Sequence, residues 1–148
     1  MMETLREVST NLWVSDIESA AIVGDDFALV VDCTGKARIG KNGIHARPTG
    51  ATGHAWTVKD LDWITDLAST LVKDGRPVLV HCRRGVSRSP CAAAAVLLAL
   101  GLAKNVDHAL SKTKVFDTVP ASQSVAGLRK WWKTVQDRRQ LALPLSAK

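Results

Sequence analysis

Pro77-Val78-Leu79-Val80-His81-Cys82-Arg83-Arg84-Gly85-Val86-Ser87-Arg88-Ser89-Pro90 is the stretch on which the fold turns. Pro77 to Val80 reads as a short buried strand, an apolar run too brief for a helix. Ser89 to Leu100 reads as a helix, with Pro90 near its first turn, where a missing N–H costs nothing. The loop between them therefore leads from a strand into a helix N-terminus. Free backbone N–H groups and the positive end of the helix dipole converge there, and that is an anion site.

The residue types in the loop point to phosphate chemistry. A Cys and an Arg separated by five residues, one of them Gly, form the minimum set for cleaving a phosphate ester through a cysteinyl-phosphate. Cys82 is the candidate nucleophile, because loop amides, the helix dipole and Arg88 favour its thiolate. Arg88 carries a planar fork that can grip two phosphate oxygens. Gly85 lets the backbone turn its N–H groups inward with no Cβ in the way. Arg83, Arg84, Val86 and Ser87 complete the substrate-binding loop. Ser89 stands where a hydroxyl can donate to the Cys82 sulfur as it leaves. His81 is expected to orient the loop through its ring N–H.

His-Cys-x5-Arg-Ser resembles the signature of the cysteine-dependent phosphatases. The form running from Arg83 to Pro90 is most similar to the dual-specificity protein phosphatases. Asn11-Leu12-Trp13-Val14 resembles that family's first strand and Ala28-Leu29-Val30-Val31-Asp32-Cys33-Thr34 its second. Pro120 and Leu128-Arg129-Lys130-Trp131 keep the family's spacing between a Pro and a Leu-x-x-Trp. The similarity thus covers most of the chain, with the loop as its specific part. It implies a metal-independent, cofactor-free phosphatase whose partners are phosphorylated proteins. A rhodanese-like sulfur carrier also places a Cys in a loop before a helix, but nothing in it demands Arg88-Ser89.

Composition fits one compact domain. A chain of 148 residues can bury a core without staples. Hydrophobic content of 46% and charged content of 23% are those of a soluble globular protein. Three irregularly spaced cysteines argue for a reduced compartment, hence a cytoplasmic location, and against a disulfide scaffold. Met1 to Leu5 shows no apolar signal region. The most apolar segment, Cys91 to Ala103, is stopped by Gly101 and is short of the ~20 residues of a membrane span.

Strands and helices alternate along the chain, which predicts a single α/β domain: a central, mostly parallel sheet of four to five strands flanked by helices. Strands are expected near 12–14, 28–33, 44–47 and 77–81. One helix places Leu61, Ile64, Leu67, Ala68, Leu71 and Val72 on one face. It has Thr57 as N-cap, Asp60 in the capping-box position and Gly75 after its end. Others are expected at 89–100, after Asn105, and from about 122 to 139 with Val125, Leu128, Trp131 or Trp132, and Val135 facing the core. The domain is assigned to 1–140 and a flexible tail to 141–148. Gly35-Lys36-Ala37-Arg38-Ile39-Gly40-Lys41 mimics a nucleotide-binding loop. Asn42 stands where Ser or Thr would bind Mg²⁺, and Gly43 spoils the helix the motif must open.

The family resemblance breaks at the general acid. Dual-specificity phosphatases place an Asp on a loop roughly thirty residues before the nucleophile, to protonate the leaving oxygen. Here that region is Pro48-Thr49-Gly50-Ala51-Thr52-Gly53-His54, and no Asp or Glu occurs from Cys33 through Lys59. His54, on the expected loop, is the substitute acid or an ordinary loop histidine. His45 reads as a strand residue and Asp60 as a helix-cap residue. Three functions stay open. One is a phosphatase of phosphotyrosine, phosphoserine and phosphothreonine in proteins. Another is a phosphatase of polyanionic substrates such as phosphoinositides or RNA 5′-triphosphate ends, the latter needing no Asp. The third is a non-catalytic phosphate-binding module, which would have no use for Cys82.

Charge bears on the choice. The net charge is +6, and the acid-free stretch carries Lys36, Arg38, Lys41, Arg47 and Lys59. Lining the mouth of the site, these would steer multiply charged substrates inward; otherwise they are solvated surface. Lys130-Trp131-Trp132-Lys133 reads as helix core before base-stacking platform. Cys33 ends the strand beside the loop. By resemblance to some superfamily members it is a possible redox partner of Cys82, and by its apolar setting a plain buried Cys.

Overall fold

The computed structural model describes residues 5–38, 40–49, 53–114 and 118–142. Five strands form one sheet: β1 (Arg6–Ser9), β2 (Leu12–Ser15), β3 (Leu29–Asp32), β4 (Gly43–His45) and β5 (Val78–His81), in the order β1-β2-β5-β3-β4. β2, β5, β3 and β4 run parallel, and β1 closes one edge antiparallel to β2. Helices are α1 (Ile17–Val23), α2 (Val58–Lys73), α3 (Arg88–Ala99), α4 (Val106–Thr113) and α5 (Ser122–Leu141). This is the expected single α/β domain with a mostly parallel sheet.

Strand alternation sorts the core into two layers. Leu12, Val14, Leu29, Val31, Val78 and Val80 face the main core with α2, α3 and α5. Val30 and Leu79 face the other way, against Ala20 of α1 and Phe27. α3 is the centre of the main layer, and every residue from Ser89 to Leu98 is buried. Its alanines let the sheet and three helices approach one backbone.

α2 has the ends its sequence announces. The Thr57 hydroxyl accepts from the Asp60 amide at 3.1 Å. Gly75 adopts a φ of 76°, and the amides of Gly75 and Arg76 return to the carbonyls of Val72 and Leu71. One expectation fails there: Leu67 is 37% exposed, and Thr65 is buried in its place. Leu67 lies about 100° from the middle of the apolar stripe, so it falls on the edge of the buried face. In α5 it is Trp131 that is buried, its indole N–H donating to Asp62 at 3.0 Å. Trp132 packs beside it, with Arg139 5.2 Å from its ring centre.

Two elements are additions to the sequence reading. Asn11-Leu12-Trp13-Val14, expected as the first strand, belongs to the second. β1 precedes it, and Asn11 takes a φ of 65° in the turn. β1 is polar and contains one Val, so no apolar run marks it. α1 spans seven residues and is set by Asp16, whose carboxylate accepts from the Ser19 amide at 2.7 Å. β4 covers 43–45 rather than 44–47, which frees Arg47 from the strand. α5 reaches Leu141, two residues beyond its expected end near 139 and one into the expected tail, and 143 onward lies outside the described residues.

Candidate active site

β5 ends at His81, α3 begins at Arg88, and the loop between them is fixed from both sides. Gly85 has a φ of 75°, and a Cβ on it would lie 2.9 Å from the carbonyl carbon and oxygen of Ser15. Glycine is therefore required twice, for the left-handed backbone and for the close approach to the end of β2. The amide of Cys82 donates to Ser15 O at 3.4 Å, and that of Ile17 to Arg83 O at 3.2 Å. On the far side the Ser87 hydroxyl accepts from the Ala121 amide at 2.6 Å. Ser87 is the N-cap of α3, yet its side chain does not cap the helix. The positive end of α3 is left without a side-chain cap, facing the loop.

Inside this frame Cys82 is 2% exposed. Its sulfur accepts from the Gly85 amide at 3.2 Å and lies 3.2 Å from the Ser89 hydroxyl. Arg88 is half-buried, and its guanidinium donates to the Cys33 carbonyl at 3.5 Å. Arg83 and Arg84 are exposed on the rim, and Val86 is half-buried. The structure thus brings Gly85 and Ser89 to the Cys82 sulfur and holds Arg88, the first residue of the following helix, on the Cys33 carbonyl.

The other thiols are held protonated. Burial pushes Cys33 well above the ordinary thiol range, and the neighbouring charges of Cys82 and Asp32 add to the effect. Cys91 is pushed up to about 12, by burial first and by Cys82 second. All three cysteines are free, and Cys33 bonds the loop's own strand through its amide to His81 O at 2.8 Å.

His81 is buried and its pKa is lowered by that burial, against the opposing pull of Asp32. Its Nε2 lies 3.7 Å from the Asp32 carboxylate, while Nδ1 makes no hydrogen bond of ordinary geometry. The ring faces Asp32, a residue the sequence reading passed over as strand. Asp32 is fully buried and accepts from the Thr34 hydroxyl at 2.6 Å, the Thr34 amide at 2.9 Å and the Ala37 amide at 3.0 Å. Burial pushes its pKa up, but these bonds and the His45 ring at 2.7 Å outweigh it and hold the carboxyl low. His45 is thereby committed to Asp32. Asp60 sits in the first turn of α2, as expected.

His54 arrives from the other direction. The backbone of Thr49 and Ala55 pairs by two hydrogen bonds of 2.8 Å, which closes the loop that carries it. The Ser124 hydroxyl donates to the His54 carbonyl at 3.0 Å and lies 3.5 Å from its Nδ1. The pKa of His54 is lowered by partial burial and then by the positive charge of Arg88. The charge of Arg88 thus reaches the His54 ring. Ser124 was missed by sequence reading, as was the bond that the loop residue Ser87 accepts from Ala121, and a serine in a helix or loop carries no signal of such a bond. Arg6 was missed as well. It donates to the Thr113 carbonyl, and its pKa is lowered by burial against an opposing influence from Cys82.

The nucleotide-loop mimic is a different structure. It leads into β4, and the amides of Lys36 and Ala37 are taken by Thr34 and Asp32. A cavity of about 440 Å³ lies between α1 and the 37–43 segment, with His81 among its lining residues. It is separate from the loop that surrounds Cys82.

No family model and no curated protein matches the sequence. Solved structures do match over nearly the whole chain. Human DUSP28 shares 16% identity with a TM-score of 0.73, covering 90% of this chain and 95% of its own. Tk-PTP in the active form shares 20% with a TM-score of 0.72, covering 90% and 99%. PTPMT1 in complex with PI(5)P shares 13% with a TM-score of 0.74, covering 92% and 99%. The chain has the cysteine-dependent phosphatase fold, and within it the form related to the dual-specificity phosphatases.

Proposed function

We propose that this protein is a phosphatase that hydrolyses phosphomonoesters through a cysteinyl-phosphate on Cys82. One observation carries the reading. The Cys82 sulfur lies 3.2 Å from both the Gly85 amide nitrogen and the Ser89 hydroxyl, in a loop that feeds α3, whose first residue is the half-buried Arg88. A phosphoryl group held by the loop amides meets the sulfur on one side and the guanidinium on another.

In the first step the Cys82 thiolate attacks phosphorus, the S–P bond forms and the bond to the ester oxygen breaks. Arg88 spreads its fork over the non-bridging oxygens, where charge is greatest in the transition state. Its bond to the Cys33 carbonyl holds the fork in place. The leaving oxygen takes a proton from protonated His54, the histidine nearest Arg88 in charge. In the second step water attacks phosphorus, its proton passes to the now neutral His54, and the S–P bond breaks. The Ser89 hydroxyl donates to the departing sulfur. Water is the only other reactant the scheme needs.

For the substrate, one reading is phosphotyrosine, phosphoserine or phosphothreonine in proteins, the class named in the resemblance to dual-specificity phosphatases. A second is favoured by a specific observation. Arg83, Arg84 and Arg47 are exposed, and the sequence from Cys33 through Lys59 contains no carboxylate. That field favours substrates with several negative groups.

The test is phosphate release from an activated aryl phosphate between pH 5 and 8, wild type against Cys82→Ser. Such a leaving group hardly needs an acid, so only nucleophile and clamp are read. Release is expected from the wild type and not from the variant. No release above the variant, with vanadate still bound, would leave a phosphate-binding module instead.

A further inference from the structure

Arg47 follows β4, and its side chain has a defined course. A Cβ on Gly35 would lie 2.9 Å from Arg47 Cδ and 3.1 Å from its Cβ, so the aliphatic stem is laid against the bare Gly35 backbone. The other end reaches Gly53, where a Cβ would lie 3.9 Å from Nη2. Both glycines border residues that interact with Arg88. Gly35 lies two positions after Cys33, whose carbonyl accepts from the Arg88 guanidinium. Gly53 precedes His54, whose pKa Arg88 lowers. Arg47 is exposed, and it forms no ion pair with a carboxylate among the described residues.

An arginine left free in solvent has no reason to lie along one course. This one is held by a glycine whose φ of 70° and lack of Cβ leave room for the stem. Its head is a second forked cation, placed at Gly53 next to His54, and in the phosphatase scheme Arg88 is already engaged by the scissile phosphoryl group. A planar guanidinium in this position matches a further phosphate.

We propose that Arg47 reads a second phosphate on the substrate, so that the protein takes compact bisphosphates, two phosphoryl groups on one small polyol scaffold, free or as a lipid headgroup. This rests on the phosphatase reading above and specifies its substrate. One phosphate sits in the Cys82 loop and is hydrolysed. Its neighbour lies on Arg47, with Arg83 and Arg84 adding field at the rim. Compactness follows from the arrangement, since both glycines that hold Arg47 border the surroundings of Arg88.

The experiment compares kcat/KM for a soluble cyclitol bisphosphate with vicinal phosphates and for the matching monophosphate. The wild type, Arg47→Met and Arg47→Lys are measured side by side. Arg47→Met keeps the stem over Gly35 and removes only the head. The wild type is expected to favour the bisphosphate by about tenfold or more, the scale of one charge-assisted contact. Arg47→Met should lose that preference and Arg47→Lys keep part of it. An unchanged ratio in Arg47→Met overturns the proposal, as does a wild-type preference for a doubly phosphorylated peptide over the cyclitol. The same headgroup on phosphatidylcholine vesicles separates the sources: faster turnover there assigns the lipid, slower turnover the free polyol phosphate, and either supports the role of Arg47. Should no variant turn over any substrate, the phosphatase reading fails by itself. Calorimetric binding of the bisphosphate to Cys82→Ser, with and without Arg47→Met, then decides. A roughly tenfold weaker binding upholds the second-phosphate site, and equal binding overturns it.

Discussion

Gly85→Ala is the sharpest single perturbation of the phosphate loop. The new Cβ would stand 2.9 Å from the Ser15 carbonyl carbon and oxygen and 3.1 Å from the Asp16 nitrogen. Non-bonded carbons settle near 3.5–4.0 Å, so the loop must retreat by roughly 0.6–1 Å. All three clashing atoms are backbone, held by the Cys82-to-Ser15 and Ile17-to-Arg83 hydrogen bonds, and cannot swing aside as a side chain would. The φ of 75° costs an alanine about 1–2 kcal/mol on its own, and overpacking of this kind costs about 1–3 kcal/mol. Together that is about 2–5 kcal/mol, a large part of the ~5–15 kcal/mol that holds a domain. The retreat also pulls the Gly85 amide off the Cys82 sulfur, now 3.2 Å away. Loss of one aimed donor at a reacting centre costs about 10²–10³ in kcat. Urea unfolding reads the first number and aryl phosphate turnover the second. A variant with wild-type midpoint and wild-type kcat would refute the account of why glycine stands there.

Two further outcomes follow from neighbouring contacts. Gly127→Ala should destabilise, although alanine in a helix is ordinarily better than glycine by about 1 kcal/mol. A Cβ there would meet the Trp56 carbonyl at 2.7 Å, and overpacking of about 1–3 kcal/mol is the larger effect. A raised urea midpoint would show that α5 yields freely. His54→Ala should lower kcat/KM on an alkyl phosphate by about 10²–10⁴ at acid pH and leave an activated aryl phosphate far less affected. Because burial and Arg88 lower the pKa of His54, its acid form fades below the ordinary histidine range. Wild-type activity on the alkyl ester should therefore fall as pH rises through that lowered pKa, and His54→Ala should flatten the profile. An identical pH profile in the variant would remove His54 from proton transfer.

The phosphate loop was legible because its chemistry is local. A strand, a turn needing positive φ, a buried cysteine, an arginine fork and a helix start occupy consecutive residues from Pro77 to Leu100, and each leaves its own residue type. The α2 boundaries were legible for the same reason, with Thr57 and Gly75 acting on amides a few residues away. Its buried face was less so: Thr65 took the interior position that hydrophobicity assigned to Leu67, because rotation about the helix axis outweighs side-chain preference at the edge of a stripe. β1 and α1 were invisible because each is held by partners rather than by its own pattern: the polar β1 by the ladder with β2, and the seven-residue α1 by Asp16 and the sheet.

The supports of the site form the third class, and they explain where sequence reasoning stopped. The Ser87 hydroxyl accepts from the Ala121 amide, Ser124 holds His54, and Asp32 gathers Thr34, Ala37 and His45 behind His81. The Asp32 bonds to Thr34 and Ala37 are local, but those of Ser87, Ser124 and His45 join residues 34, 70 and 13 positions apart, so no spacing rule can announce them. The candidate acid shows the consequence. From sequence His54 stands on the loop where an acid is expected and His45 on a strand, but both are histidines in an acid-free stretch. The fold separates them by giving one a buried carboxylate and the other the field of Arg88. His45 is bound to Asp32, whereas among the described residues the contacts of His54 are to its carbonyl and Nδ1, both from Ser124. Tertiary partners thus support the separation that loop position already suggested, and the proposed acid role of His54 rests on both.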